Sequence, residues 1–129
     1  MRFLIVEASS EFRHALAGML RTRWPEAQID ERDPGQLGKP SDILAQEGYH
    51  MVLLDPHFAG EDGIQWVAEL RKEAQAPPVI LIADQGDTRI AIQAMKAGAA
   101  DLLRKTGLPA RRLTNAIEDA LREQKARQL

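Results

Sequence analysis

Three short stretches of the chain are apolar without interruption: residues 3–6 (FLIV), 51–54 (MVLL) and 79–82 (VILI). Runs of that length with no polar alternation predict strands buried on both faces. Between them, apolar residues return at helical spacing. Phe12, Leu16, Met19 and Leu20 predict a first helix, with Ser9 or Ser10 as its N-cap and Pro25 setting its stop near Trp24. Ile64, Val67 and Leu70 predict a helix after the second run, ending before Pro77-Pro78. Ile90, Ala91, Ala94 and Met95 predict the apolar face of another, capped by Asp87 or Thr88 and closed by Gly98. Leu113, Ile117, Ala120 and Leu121 predict a last helix that Pro109 can open.

Weaker signals complete the pattern. Residues 27–31 (AQIDE) suit a polar strand at a sheet edge, and residues 100–103 (ADLL) a short last strand. Asp33-Pro34-Gly35 and Gly38-Lys39-Pro40 read as loop, and Ser41 as the cap of a short helix through Ile43, Leu44 and Glu47, ended by Gly48. Residues 56–63 read as a loop. Strands and helices thus alternate five times. The expectation is an α/β, flavodoxin-like doubly wound fold: a five-stranded parallel sheet in the order 2-1-3-4-5 with helices on both faces. Ligands of such sheets bind at the carboxyl ends of the first and third strands.

Composition narrows the function classes. The chain has 129 residues, enough for one domain with a real core, with 44% hydrophobic and 28% charged residues. A formal net charge of −2 gives no basic excess for direct nucleic-acid contact. The absence of cysteine excludes disulfides, thiolate catalysis and Cys-based metal sites. No apolar run is long enough for a membrane span, and the N-terminal run stops at Glu7 without a signal-peptide layout, so a cytoplasmic location is expected. No dinucleotide fingerprint or phosphate-binding loop motif is present, and no second His or Cys accompanies His57 at metal-ligand spacing.

The topology gives the candidate chemistry its place. Glu7 ends the first strand, Asp55 the third, and Lys105 follows the fifth, so two carboxylates and an ammonium are expected to converge on one rim. Carboxylates so crowded need a cation, either the lysine or a bound Mg²⁺. A carboxylate in that position can attack phosphorus to form an acyl phosphate. Asp84 and Asp87 lie on the same rim and read as loop acids.

The pieces LIVEASSEFR, VLLDPHFAGEDG, PVILIAD and AMKAGAADLLRK occur in the order and spacing of a known family. Over nearly its whole length the chain resembles the receiver domain of bacterial two-component response regulators. The resemblance implies that Asp55 is the phosphoacceptor and Lys105 the phosphoryl contact. It implies Mg²⁺ on Glu7, Asp55 and the main-chain carbonyl of His57, bound weakly or not at all. It also matches Gly63 to the family's glycine and Gly98-Ala99 to its Gly-Ala. The implied partners are a sensor histidine kinase or phosphotransfer protein, an output domain or partner protein, and a second copy of the chain. Residues 1–121 would form the receiver, and residues 122–129 the polar end of the last helix, leading toward an output domain. The family consists of signalling modules rather than enzymes.

Departures from the pattern keep a second reading open. The family's second strand-1 acid is Ala8, the hydroxyl residue ending strand 4 is Ala83, the strand-5 aromatic is Leu102, and the proline after the lysine is Thr106. Ala59 replaces a further proline. These changes favour a pseudo-receiver that recognises a partner without phosphorylation. A small-molecule enzyme in the same crevice is the weaker third class, since no base–nucleophile pair is visible.

Overall fold

The computed structural model describes residues 1–36, 39–45, 48–58, 61–84 and 88–127. Its main sheet holds β1 (Arg2–Val6), β2 (Gln28–Arg32), β3 (Met51–Leu54), β4 (Val79–Ala83) and β5 (Asp101–Arg104). The five are parallel and lie in the order β2-β1-β3-β4-β5, the flavodoxin-like arrangement expected from the alternating pattern. Helices α1 (Ser10–Arg23), α2 (Pro40–Ala45), α3 (Gly63–Leu70), α4 (Thr88–Ala97) and α5 (Ala110–Arg127) connect and cover it.

The uninterrupted apolar strands supply two cores. One side chain set (Leu4, Val6, Val52, Leu54, Val79, Leu81) packs with Trp66, Val67 and Leu70 of α3 and Ala94 of α4. The alternate set (Phe3, Ile5, Met51, Leu53, Ile80, Ile82) packs with Leu16 and Leu20 of α1 and Leu113 and Ile117 of α5. Each central strand therefore needs apolar residues at every position, because successive side chains face opposite layers. The polar strand β2 takes the sheet edge, where Asp30 receives Arg2 at 2.8 Å and the Tyr49 hydroxyl at 2.5 Å.

Several local expectations need correction. Lys39, not Ser41, stands at the N-cap of α2. Its N–H donates to Asp42 Oδ2 at 2.9 Å while its carbonyl accepts from the Asp42 N–H at 3.0 Å. Pro40 thus occupies the first helical position, where a missing N–H costs nothing, instead of prolonging the loop. The helix is described to Ala45; the expected member Glu47 lies outside the described residues, as does the Asp87 cap of α4. Among the described residues of α4 Ala94 is the buried one, whereas Met95 is 54% exposed and Ile92 50%. The contact of α4 is narrow because it runs through the small residues Ala94 and Ala97, leaving larger neighbours outside.

At the N-terminus of α1, Ser9 is the cap, its Oγ accepting from the Phe12 N–H at 3.2 Å. Helix α4 ends in a paired turn: Gly98 N–H donates to the Met95 carbonyl and Ala99 N–H to the Ala94 carbonyl. Gly98 adopts φ 101° there, a conformation that a side chain would strain. The polar run past Leu121 continues α5 to Arg127, and Gln124 still bonds the Ala76 carbonyl at 3.1 Å. No helix among the described residues is long and apolar enough to cross a membrane.

Candidate functional site

Register alone brings the two acids together. Val6 and Leu54 are direct partners across β1 and β3, and the Asp55 N–H donates to the Val6 carbonyl at 3.1 Å. Glu7 and Asp55 therefore leave the sheet side by side at its carboxyl edge. Among the described residues they are the charged side chains that are buried, 3% and 9% exposed. Lys105 reaches them from beyond β5, held by its own N–H on the Ala83 carbonyl at 2.9 Å. Its Nζ donates to Asp55 Oδ2 at 2.7 Å and pairs with Glu7 Oε1. Asp84 Oδ1 stands 3.9 Å away on a side chain 78% exposed, so it adds little charge to the buried group.

The three convergent groups carry a net charge of −1 and neutralise each other in part. Burial would lower the pKa of Lys105, but its hydrogen bonds to Asp55 and Glu7 and their charges outweigh that, and the pKa is raised. The ammonium is thus locked in its charged form. The ring of Phe12 covers it from α1, with Nζ 5.4 Å from the ring centroid.

Residues that the sequence analysis did not assign to the site complete the cluster. The Ser9 N–H donates to Glu7 Oε2 at 2.9 Å, and Arg13 Nη1 donates to the Glu7 carbonyl at 2.6 Å. Arg13 also faces Glu31 Oε1, at 3.4 Å from its Nε. The serine was legible as a cap, but nothing in the sequence ties its N–H to the acid. Glu7 is consequently committed at both oxygens, one to the lysine and one to the first turn before α1.

The segment after Asp55 is not a plain loop. His57–Phe58 pairs antiparallel with Glu61–Asp62 as a small ribbon outside the main sheet, and Ala59 lies outside the described residues. Gly63 closes it: its N–H donates to the Pro56 carbonyl at 3.1 Å, and a Cβ there would lie 2.7 Å from the Pro56 Cα and oxygen. Only glycine lets α3 start against the residue that follows Asp55. Gly63→Ala is expected to lose about 1–3 kcal/mol in urea unfolding, because backbone must move to relieve the overlap. An unchanged midpoint would show that the segment gives way freely.

At β4, Ala83 is buried and presents a methyl group with no hydroxyl to bond a phosphoryl oxygen. Leu102 is half-buried against the α3–α4 layer. No peptide bond is cis among the described residues, the one before Thr106 included. The oxygen donors suit a hard divalent ion in kind. Glu7, Asp55 and the backbone of His57 are those that would hold it, and among the described residues no three or more His, Cys, Asp or Glu side chains are grouped so as to hold a metal ion.

The chain matches the response regulator receiver domain family over residues 3–118 and belongs to that family. It is 26% identical to the glycerol metabolism activator of Pseudomonas putida over 121 residues, 93% of this chain and 53% of that protein. It is 33% identical to the transcriptional regulatory protein FixJ of Bradyrhizobium diazoefficiens over 82 residues, 64% of this chain and 40% of the relative. It therefore spans about half or less of these relatives. Among solved structures, a CheY-like receiver domain protein from Methanospirillum hungatei superposes with a TM-score of 0.77 at 17% identity, covering 98% of this chain and 97% of that one. The BeF3-activated receiver domain of Klebsiella pneumoniae RstA gives 0.77 at 24% identity, covering 95% and 99%. Those likenesses speak for the fold.

Proposed function

We propose that the chain is the phosphoacceptor receiver of a cytoplasmic two-component system, phosphorylated on Asp55. The observation that carries this is the convergence of Lys105 on a buried Asp55 at the switch point of the sheet. An Asp55 carboxylate oxygen attacks phosphorus of a donor: a histidine kinase, a phosphotransfer protein or a small phosphodonor. The bond from phosphorus to the donor breaks, leaving an acyl phosphate. Lys105, whose pKa is raised beside Asp55 and Glu7 before transfer, turns from the carboxylate to the phosphoryl oxygen. A Mg²⁺ held weakly by Glu7, Asp55 and the His57 carbonyl would spread charge on the transferring oxygens. The surface of α4, β5 and α5 then passes the change to an output domain, a partner protein or a second copy, with residues 122–129 leading out of the receiver domain of residues 1–121.

A second reading has its own support. Glu7 is occupied at both oxygens, Ala8 offers no ligand, and Ala83 has no hydroxyl to report the phosphoryl group. In that reading the domain is a pseudo-receiver that recognises its partner without phosphorylation. Intact mass after incubation with acetyl phosphate and Mg²⁺ decides between them. The expected result is a phosphoryl adduct on the wild type and none on Asp55→Asn. An adduct that persists in the variant would overturn the site, and no adduct on either, with no response to Mg²⁺, would favour the pseudo-receiver.

A further inference from the structure

A cavity of about 360 Å³ opens at the opposite end of the sheet from Asp55, where the ends of α3, α4 and α5 meet. Its walls include Arg71, Gln124, Arg127 and Glu123, with Met95 and Pro78 as apolar surface. The two arginines come from different elements, yet neither is in an ion pair among the described residues. Burial lowers the pKa of Arg71, and the charge of Arg127 lowers it further, so the two guanidiniums repel across the space.

Arg71 is fixed in place. Its stem lies under the α4–β5 turn, close enough that a Cβ on Gly98 would meet Arg71 Cγ at 2.9 Å. Its Nη1 donates at long range, 3.4 Å to the Ala76 carbonyl and 3.3 Å to that of Pro77. Gln124 binds the same Ala76 carbonyl from α5 at 3.1 Å, which holds the second wall in register. An anchored, partly desolvated guanidinium beside a second cation is a strong donor to a planar or tetrahedral oxyanion. The volume falls at the low end of ligand pockets, larger than a bare ion needs.

We propose that this cavity binds a small phosphomonoester, whose charge of about −1.5 to −2 offsets both arginines while its body rests on Met95 and Pro78. Glu123, on the same wall, opposes the anion and limits its affinity. Occupancy would tie α4 to α5 from the far end of the domain, independently of Asp55.

The test is an amide NMR titration of the whole chain at low salt with inorganic phosphate and, separately, adenosine monophosphate. Saturable shifts are expected at Gly98, Ala99 and Ala100, tighter for the monophosphate ester. Arg127→Gln, at an exposed position, should weaken binding about tenfold or more, and Glu123→Gln should strengthen it. The same shifts should persist in Asp55→Asn. Shifts confined to the Asp55–Lys105 rim, equal binding in Arg127→Gln, or no saturation at Gly98–Ala100 would each overturn the proposal. Equal affinity for both probes would reduce the site to a bare phosphate site and reject the ester.

Discussion

Lys105→Met is expected to destabilise the domain by about 3 kcal/mol, the low end of the penalty for breaking a buried ion pair. The lysine is the cation between two buried acids, and methionine preserves the length of the stem while removing the charge. Glu7 at 3% exposure cannot turn to solvent, and its second oxygen is held by the Ser9 N–H. Asp55→Asn gives the contrast. It leaves one acid facing one ammonium, a balanced pair, so its stability should stay within about 1 kcal/mol of wild type. The pH dependence carries a sign. A lysine whose folded pKa is raised contributes stability that is fully present below its unfolded value, about 10.4, and lost as pH rises through the folded value. The gap between wild type and Lys105→Met in urea unfolding should therefore hold steady from neutral pH to about 10 and close above it. A gap that is small at neutral pH, or indifferent to high pH, would show that the lysine is a solvated bystander.

The fold was legible wherever burial forced the pattern. The runs at residues 51–54 and 79–82, too short for helices, read as strands between two layers, and the structure places alternate residues of each in opposite cores. Legibility failed where small or polar residues decide the geometry. The N-cap of α2 depends on Asp42 reaching back to a backbone N–H, which competes on equal terms with the serine one residue earlier. The ribbon at His57–Phe58 and Glu61–Asp62 has no alternation long enough to show. On α4, periodicity marked Met95 as apolar, but the helix meets the core through Ala94 and Ala97, and Met95 faces outward.

The site was legible as a juxtaposition and illegible as a network. Strand order placed Glu7, Asp55 and Lys105 on one rim, and the structure brings the three into direct contact. What spacing could not give is how many partners each acid has. Ser9, Phe12 and Arg13 converge on Glu7 and Lys105 only because α1 starts three residues after that acid and turns over the rim. Gly63 was visible as a family position, and the 2.7 Å approach to Pro56 gives its physical cause. The Arg71–Arg127 cavity had no sequence signal, since its walls come from residues more than fifty apart.

Ala8→Asp is expected to tighten Mg²⁺ binding about tenfold or more. In the wild type a divalent ion must compete with an ammonium already bonded to both acids, and one of those acids has no free oxygen. A third carboxylate at the exposed position beside Glu7 supplies a ligand that no hydrogen bond has claimed, and it raises the charge of the cluster from −1 to −2. Without metal, that added charge lies against two buried acids and one lysine, so the variant should melt below the wild type. Added Mg²⁺ should return the lost stability, because a ligand that binds only the folded state stabilises it in proportion to the logarithm of its concentration over Kd. The wild type should respond to Mg²⁺ far less. Melting curves across a Mg²⁺ series, with calorimetric titration of the same samples, read both effects without any phosphorylation. If affinity and melting temperature were the same in both proteins, the rim would not be a cation site, and Asp55 and Glu7 would be there to seat Lys105.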